Sequence, residues 1–156
     1  MPVRSAGILL HRDIGAGLEV LLVHPGGPLW ARRDRGAWSI PKGVLTPEED
    51  SLDAARREFA EELGVAPPEG EAIDLGEVRQ RSGKRVRAFA LAGDPQPFFT
   101  ESNTFEMEWP PRSGRRQSFA EVDRAQWFAL AEARERLLPA QAPFLDRLTS
   151  LRQSRK

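Results

Sequence analysis

A chain of 156 residues with 23 basic and 23 acidic side chains has no net field to draw it to nucleic acid or to an anionic membrane. Hydrophobic residues at 40% and charged residues at 29% exclude a disordered composition, and no window approaches the roughly 18 apolar residues that a membrane span needs. The absence of cysteine excludes disulfides and thiolate chemistry; the length suits a single domain over residues 1–156, and a cytoplasmic protein is expected.

Val3 to Leu10 predicts a strand, and Glu19 to His24 its partner across the glycine-containing connection Asp13 to Gly17. Both are near-continuous apolar runs, so both faces of the sheet are buried and helices must cover it. Pro25 to Gly36 is broken by glycine and proline at every period and predicts a loop. It carries Trp30, Arg32, Arg33 and Arg35, which suit either a solvated loop or a substrate loop with a stacking ring and phosphate-facing arginines. Ala37 to Ile40 predicts a short strand stopped at Pro41, and Lys42 and Gly43 lead into a further extended piece.

A helix is predicted from Ser51 to Leu63, capped by Asp50 or Ser51 and ended by a left-handed Gly64. Leu52, Ala55, Phe59 and Leu63 recur at three- and four-residue spacing as its core stripe. Glu58, Glu61 and Glu62 share one side of its C-terminal half, against both their mutual repulsion and the helix dipole. Three carboxylates so placed are poor helix stabilisers. They suit a hard divalent cation, Mg2+ or Mn2+, whose remaining ligands are waters and substrate phosphates.

After Ala66-Pro67-Pro68, a hairpin is predicted from Ile73 to Arg81 and Arg85 to Leu91 around Ser82-Gly83. Gly93 to Ser102 predicts an acidic, proline-bearing loop. Thr104 to Trp109 alternates, with Phe105, Met107 and Trp109 on one face and Glu106 and Glu108 on the other, a face turned either to solvent or to the metal cleft. Pro110 to Ser118 is a basic loop holding Arg112, Arg115 and Arg116, either a solvated turn or a phosphate-binding loop. Val122 to Leu130 is predicted to contain a short strand ending in Trp127-Phe128, and Ala131 to Leu138 and Ala142 to Leu151 predict helices parted by Pro139 and Pro143. The tail from Arg152 to Lys156 is expected to fray. His11 and His24 have no third ligand at a zinc spacing, Trp30 is the candidate stacking ring, and Trp38 and Trp127 are expected in the core or at its edge.

Gly43, Glu49, Arg57, Glu58, Phe59, Glu61, Glu62, Gly64 and Val65 stand at the spacing of the Nudix box, and the order of strands, hairpin and C-terminal helix around it extends the resemblance over most of the chain. Phe59 departs from the more usual aliphatic residue. The resemblance implies an α/β/α sandwich around a mixed sheet and hydrolysis of a nucleoside diphosphate linked to another group. It implies Glu58, Glu61 and Glu62 as metal ligands, Gly43 as the close-packed start of the loop, Arg57 as the residue that orients a catalytic carboxylate, Glu49 as an outer acidic residue, and a further glutamate from outside the box at no fixed position.

Lys42 is the preferred phosphate contact because it immediately precedes Gly43; Arg32, Arg33, Arg112, Arg115 and Arg116 are further candidates. The water's proton could pass to Glu58 or Glu61, or to Glu106 or Glu108. Pro41-Lys42-Gly43 resembles the variant found in members acting on dinucleoside and diphosphoinositol polyphosphates, so diadenosine tetraphosphate is the leading substrate. Oxidised nucleoside triphosphates, ADP-ribose-like compounds and diphosphoinositol polyphosphates stand behind it, and a non-catalytic nucleotide sensor or RNA-associated module is the rival of another class. A small nucleotide or polyphosphate is the expected partner, with no membrane or stable nucleic acid, for a monomer or homodimer.

Overall fold

The computed structural model describes residues 3–94 and 104–154. The predicted loop Gly93 to Ser102 therefore lies mostly outside the described residues, as do Arg155 and Lys156 of the predicted tail. In chain order the strands are β1 (Arg4–Asp13), β2 (Leu18–Pro25), β3 (Lys42–Val44), β4 (Ile73–Arg79), β5 (Arg85–Ala92), β6 (Thr104–Glu108), β7 (Arg116–Ala120) and β8 (Val122–Ala129). The helices are α1 (Ser51–Leu63), α2 (Leu130–Arg136) and α3 (Ala142–Ser154), with a 3-10 turn at Pro139–Gln141 between the last two. None of these helices is long and apolar enough to cross a membrane.

Five strands run in the order β4-β5-β1-β2-β8, with β3 paired to β1 beside them. β1 and β5 are parallel and the other pairings antiparallel, so the sheet is mixed. Alternate residues of the central strands feed two cores, as a two-residue period requires. Ala6, Ile8 and Leu10 of β1 pack with Ala54, Ala55, Phe59 and Leu63 of α1 on one face. Leu9 packs on the other face with Val20 and Leu22 of β2 and with Phe144, Leu145 and Leu148 of α3. This is the three-layer α/β/α arrangement. Burial of a side chain such as Phe59, at 0% exposure, contributes about 1.5–3 kcal/mol, which fixes α1 and with it the carboxylates beside that buried stripe.

The two central strands diverge, and the divergence makes the site. β2 pairs with β1 only at the end from His11 to Asp13, while β3 takes its place opposite Ser5 to Gly7. Residues 39–44 are thereby wedged between the two strands: Ser39 exchanges both backbone hydrogen bonds with Val23, and the Ile8 amide donates to the Pro41 carbonyl at 3.1 Å. Gly7 is what permits the close approach, because a β-carbon there would stand 2.7 Å from that of Lys42.

Four expectations need correction. Ala37 to Ile40 is not a strand but a pair of isolated bridges, Ser39 to Val23 and Trp38 to Leu137. The Ile40 amide goes to the Gln141 side chain instead of a neighbouring strand. The basic segment from Pro110 is a loop only to Arg115; Arg116–Ala120 is β7, which pairs with β6 in a separate two-stranded arm. Arg152 does not fray but continues α3, within 3.4 Å of Asp13. In α1 the buried stripe takes in Ala54 where Leu52 was expected, and Leu52 is only half-buried.

Candidate active site

α1 begins where the Asp50 carboxylate accepts the Leu52 and Asp53 amides, each at 3.1 Å, and ends at Gly64 with φ 71°. Its last turn contains no basic residue to offset the dipole. Glu58 lies directly against Gly43 of β3, in the space a side chain at position 43 would need. Glu62 reaches the start of the same strand and accepts the Lys42 amide at 3.3 Å.

Arg57 organises the other side. Its Nε and Nη2 donate to the two oxygens of Glu49 at 2.9 Å each, a forked pair, while Nη1 donates to Glu58 at 3.0 Å and to Glu61 at 3.3 Å. The guanidinium thus links the turn before α1 to two carboxylates on it. Its hydrogen bonds, with help from the Thr46 amide, hold the Glu49 carboxyl down to about 2.

The remaining carboxylates are less compensated. Burial pushes Glu62 up to about 8, opposed by Lys42 and reinforced by Glu58 and Glu121. Burial likewise raises Glu58 above the usual carboxylate range, opposed by Arg57 and reinforced by Glu61 and Glu121. Lys42 is lowered from its ordinary value, chiefly by its own burial and then by Lys84.

Glu121 is the residue that sequence reasoning missed. It sits in the bend between β7 and β8, and its carbonyl accepts the Gly26 amide at 2.9 Å. Gly26 allows this because a side chain there would overlap the Ala120 carbonyl. Glu121 lines a cavity of about 210 Å3 together with Trp30, Ser39, Ile40, Lys42 and Glu62. No local pattern marks it; an expectation of one more glutamate outside the box is the only signal that could have led to it.

Glu106 and Glu108, the carboxylates expected as candidates, stand on the exposed face of β6, and Glu106 lies 3.8 Å from Arg116. Arg112, Arg115 and Arg116 are exposed at the tip of the arm and do not border the cavity. Arg32 and Arg33 are exposed as well; the Arg33 guanidinium lies 5.6 Å from the Trp30 ring centre. Trp30 itself is half-buried on the cavity wall, whereas Trp38 is in the core at 1% exposure and Trp127 is packed at the edge of the α1-side core. His24 is fully buried between the Asp123 carboxylate at 2.8 Å and the Arg33 carbonyl at 2.6 Å, which ties the loop carrying Trp30 to the start of β8.

Among the described residues, no three acidic or histidine side chains stand close enough together to hold one ion as they are oriented. Glu58 and Glu61 turn to Arg57, and Glu62 to the Lys42 amide. The donor chemistry nevertheless fits a hard divalent cation. Glu58, Glu61, Glu62 and Glu121 offer only oxygen, and two of them carry a burial and repulsion penalty that added positive charge would remove.

The family model described as NUDIX domain matches residues 1–148. An octanoyltransferase of Myxococcus xanthus is 33% identical over 137 residues, covering 87% of this chain and 33% of that protein. An RNA pyrophosphohydrolase of Caulobacter vibrioides is 47% identical over 64 residues, 38% of this chain and 37% of that protein. The chain therefore spans about a third of the length of these curated relatives. Among solved structures, a C. elegans Ap4A hydrolase in a binary complex superposes with a TM-score of 0.70 at 18% identity, covering 96% of this chain and 98% of that one, a likeness of fold.

Proposed function

This chain belongs to the Nudix family, and from that premise we propose that it hydrolyses a phosphoanhydride bond in a nucleoside diphosphate linked to another group, with a dinucleoside polyphosphate such as diadenosine tetraphosphate as the leading substrate. The observation that carries the reading is the cavity bordered at once by Trp30, Lys42, Glu62 and Glu121: a ring for a base, a cation for phosphate, and carboxylates for a metal ion.

Glu58, Glu61, Glu62 and Glu121 would hold Mg2+, or Mn2+, which when bound supplies neutralisation of phosphoryl oxygens and a lowered pKa for a water. The protein's own groups do the rest. Lys42, half-buried at the cavity wall, binds phosphate oxygen as a point charge. Arg57, locked on Glu49, positions Glu58 and Glu61, either of which can accept the proton of the attacking water. Trp30 orients the substrate by stacking on its base. Water adds across one anhydride bond, and diadenosine tetraphosphate gives a nucleoside triphosphate and a monophosphate.

The test is a Mg2+-dependent screen of phosphoanhydrides with product identification, run beside Glu61→Gln and Glu62→Gln. Both variants should fold and lose most turnover, since the charge is removed at constant volume. Full Mg2+-dependent activity in either would remove that residue from the site. A second reading, a pyrophosphate bond at the end of an RNA, is favoured by the local identity with RNA pyrophosphohydrolases. RNA bearing a terminal 5′-polyphosphate belongs in the same screen, and its preferential cleavage would displace the dinucleotide reading.

A further inference from the structure

The arm formed by β6 and β7 is a sheet of its own, and Phe105 and Met107 make up the half-buried face of β6. Phe105 lies against Gly27, where a β-carbon would stand 2.8 Å from the ring tip, and Phe119 backs it at 6.0 Å between ring centres. Between this arm and the loop from Pro25 to Trp30 is a second cavity of about 250 Å3, walled by Pro28, Leu29, Trp30, Phe105 and Met107. Pro25, Trp30 and Glu121 border both this groove and the cavity that holds Lys42 and Glu62, so the two are lobes of one cleft.

The lobes differ in chemistry. The first has the cation and the carboxylates. The second is lined by no lysine or arginine, so it offers phosphate no cation of its own. Its walls are apolar and aromatic, and Leu29, at 63% exposure, leaves apolar surface uncovered at the rim. Each lobe is smaller than the ~300–1,000 Å3 typical of a pocket for a drug-sized ligand, and the two together come within that range. A ligand with a charged centre and a flat, uncharged end fits this division.

We propose that the groove between β6 and the Pro25–Trp30 loop is the subsite for the second nucleobase of a dinucleoside polyphosphate, with Leu29, Phe105 and Met107 as its specificity-determining residues. The proposal rests on the hydrolytic reading above and narrows it. An inositol polyphosphate, phosphorylated around its ring, would set anions against an apolar wall that has no cation, whereas a base gains stacking and loses little hydration.

The experiment compares diadenosine tetraphosphate with adenosine tetraphosphate, which has the same four phosphates and lacks the second nucleoside. Wild-type protein should prefer the dinucleotide by about tenfold or more in kcat/KM, the size expected for one stacked base. Leu29→Ala and Met107→Ala should each erase most of that preference through KM, with a much smaller change for adenosine tetraphosphate. Leu29 is exposed in a loop, so its variant tests the groove without threatening the fold. An unaltered preference in both variants, or an equal fall for both substrates, overturns the proposal. If neither compound is hydrolysed, the catalytic reading fails separately. Binding followed by intrinsic tryptophan fluorescence then decides the groove: a preference for the dinucleotide that either substitution erases supports it, and equal affinity for both compounds overturns it.

Discussion

Gly43→Ala isolates the placement of one carboxylate from the stability of the fold. Gly43 does not have a positive φ, so alanine meets no backbone strain there, and reduced freedom of the unfolded chain stabilises the variant by about 0.4–1 kcal/mol. The added methyl, however, falls on the Glu58 carboxyl group, well inside the 3.4 Å of ordinary contact. What it meets is the far end of a flexible side chain, which can swing away at a cost of about 0.5–1.5 kcal/mol if it leaves its rotamer. The two terms nearly cancel, so the melting temperature should move by only a few degrees. Glu58 must retreat by roughly 1 Å or more, a displacement that costs on the order of 10²-fold in rate when a catalytic group is involved. The assay is steady-state hydrolysis of diadenosine tetraphosphate with Mg2+ beside thermal unfolding. Gly26→Ala is the contrast, because there the methyl meets the backbone carbonyl of Ala120, which cannot yield, and folding itself should suffer. Activity of Gly43→Ala within threefold of wild type would refute the placement of Glu58 at the reacting centre.

Other changes follow from single contacts. Arg57→Lys keeps the charge but cannot fork onto Glu49 while also reaching Glu58 and Glu61. A fall of about 10- to 100-fold in kcat is expected, with less than about 1 kcal/mol lost in stability because the pair is partly exposed; equal activity in a kinetic assay would remove the positioning role. Gln141→Leu leaves the buried Ile40 amide without its 3.0 Å acceptor and breaks the contacts to Ser39 and Gln80. Chemical denaturation should show a loss of about 1–3 kcal/mol, and no loss would mean that the wedge at residues 39–44 is held by its backbone pairing alone.

The parts of this fold that sequence conveyed are those whose causes are local. Asp50 and Gly64 bound α1 because a cap and a left-handed terminator act within a few residues. The β4–β5 hairpin was legible from its turn and its alternation, for the same reason. Ala37 to Ile40 reads as a strand but is not one, because its backbone is held by Gln141, a hundred residues away, and Pro41 ends the ladder. β7 is hidden by its composition: Arg116, Gln117 and Ser118 are all exposed, so it has no buried face to produce alternation before Phe119. At the site, the box fixed the order of Arg57, Glu58, Glu61 and Glu62 on one helix, but not their orientation, which Arg57 and the Lys42 amide decide. Glu121 is brought to the cleft by a turn between strands and a glycine ninety-five residues earlier in the chain, and no spacing rule reaches that far.

The acidic half of α1 violates what a helix prefers, and that violation can be measured. Without metal, Glu62 is held up at about 8 chiefly by burial, against an ordinary value of 4.5. A carboxyl whose pKa rises on folding binds its proton more tightly in the folded state, so its contribution is fully present below about 4.5 and is lost as pH climbs toward 8. Wild-type protein in chelator should therefore lose stability across that interval, while Glu62→Gln, neutral at every pH and able to keep the Lys42 amide bond, should lose less. At pH 8 the variant should be the more stable by on the order of 1–3 kcal/mol, or several degrees in melting temperature. The same substitution should remove most hydrolysis, because a neutral amide is a poor partner for a hard cation. A gain in stability joined to a loss of activity is the signature of charge kept for function against the interest of the fold. If Glu62→Gln instead destabilised the chelated protein at pH 8, the carboxylate would be a structural member of α1, and its place in a metal site would have to be given up.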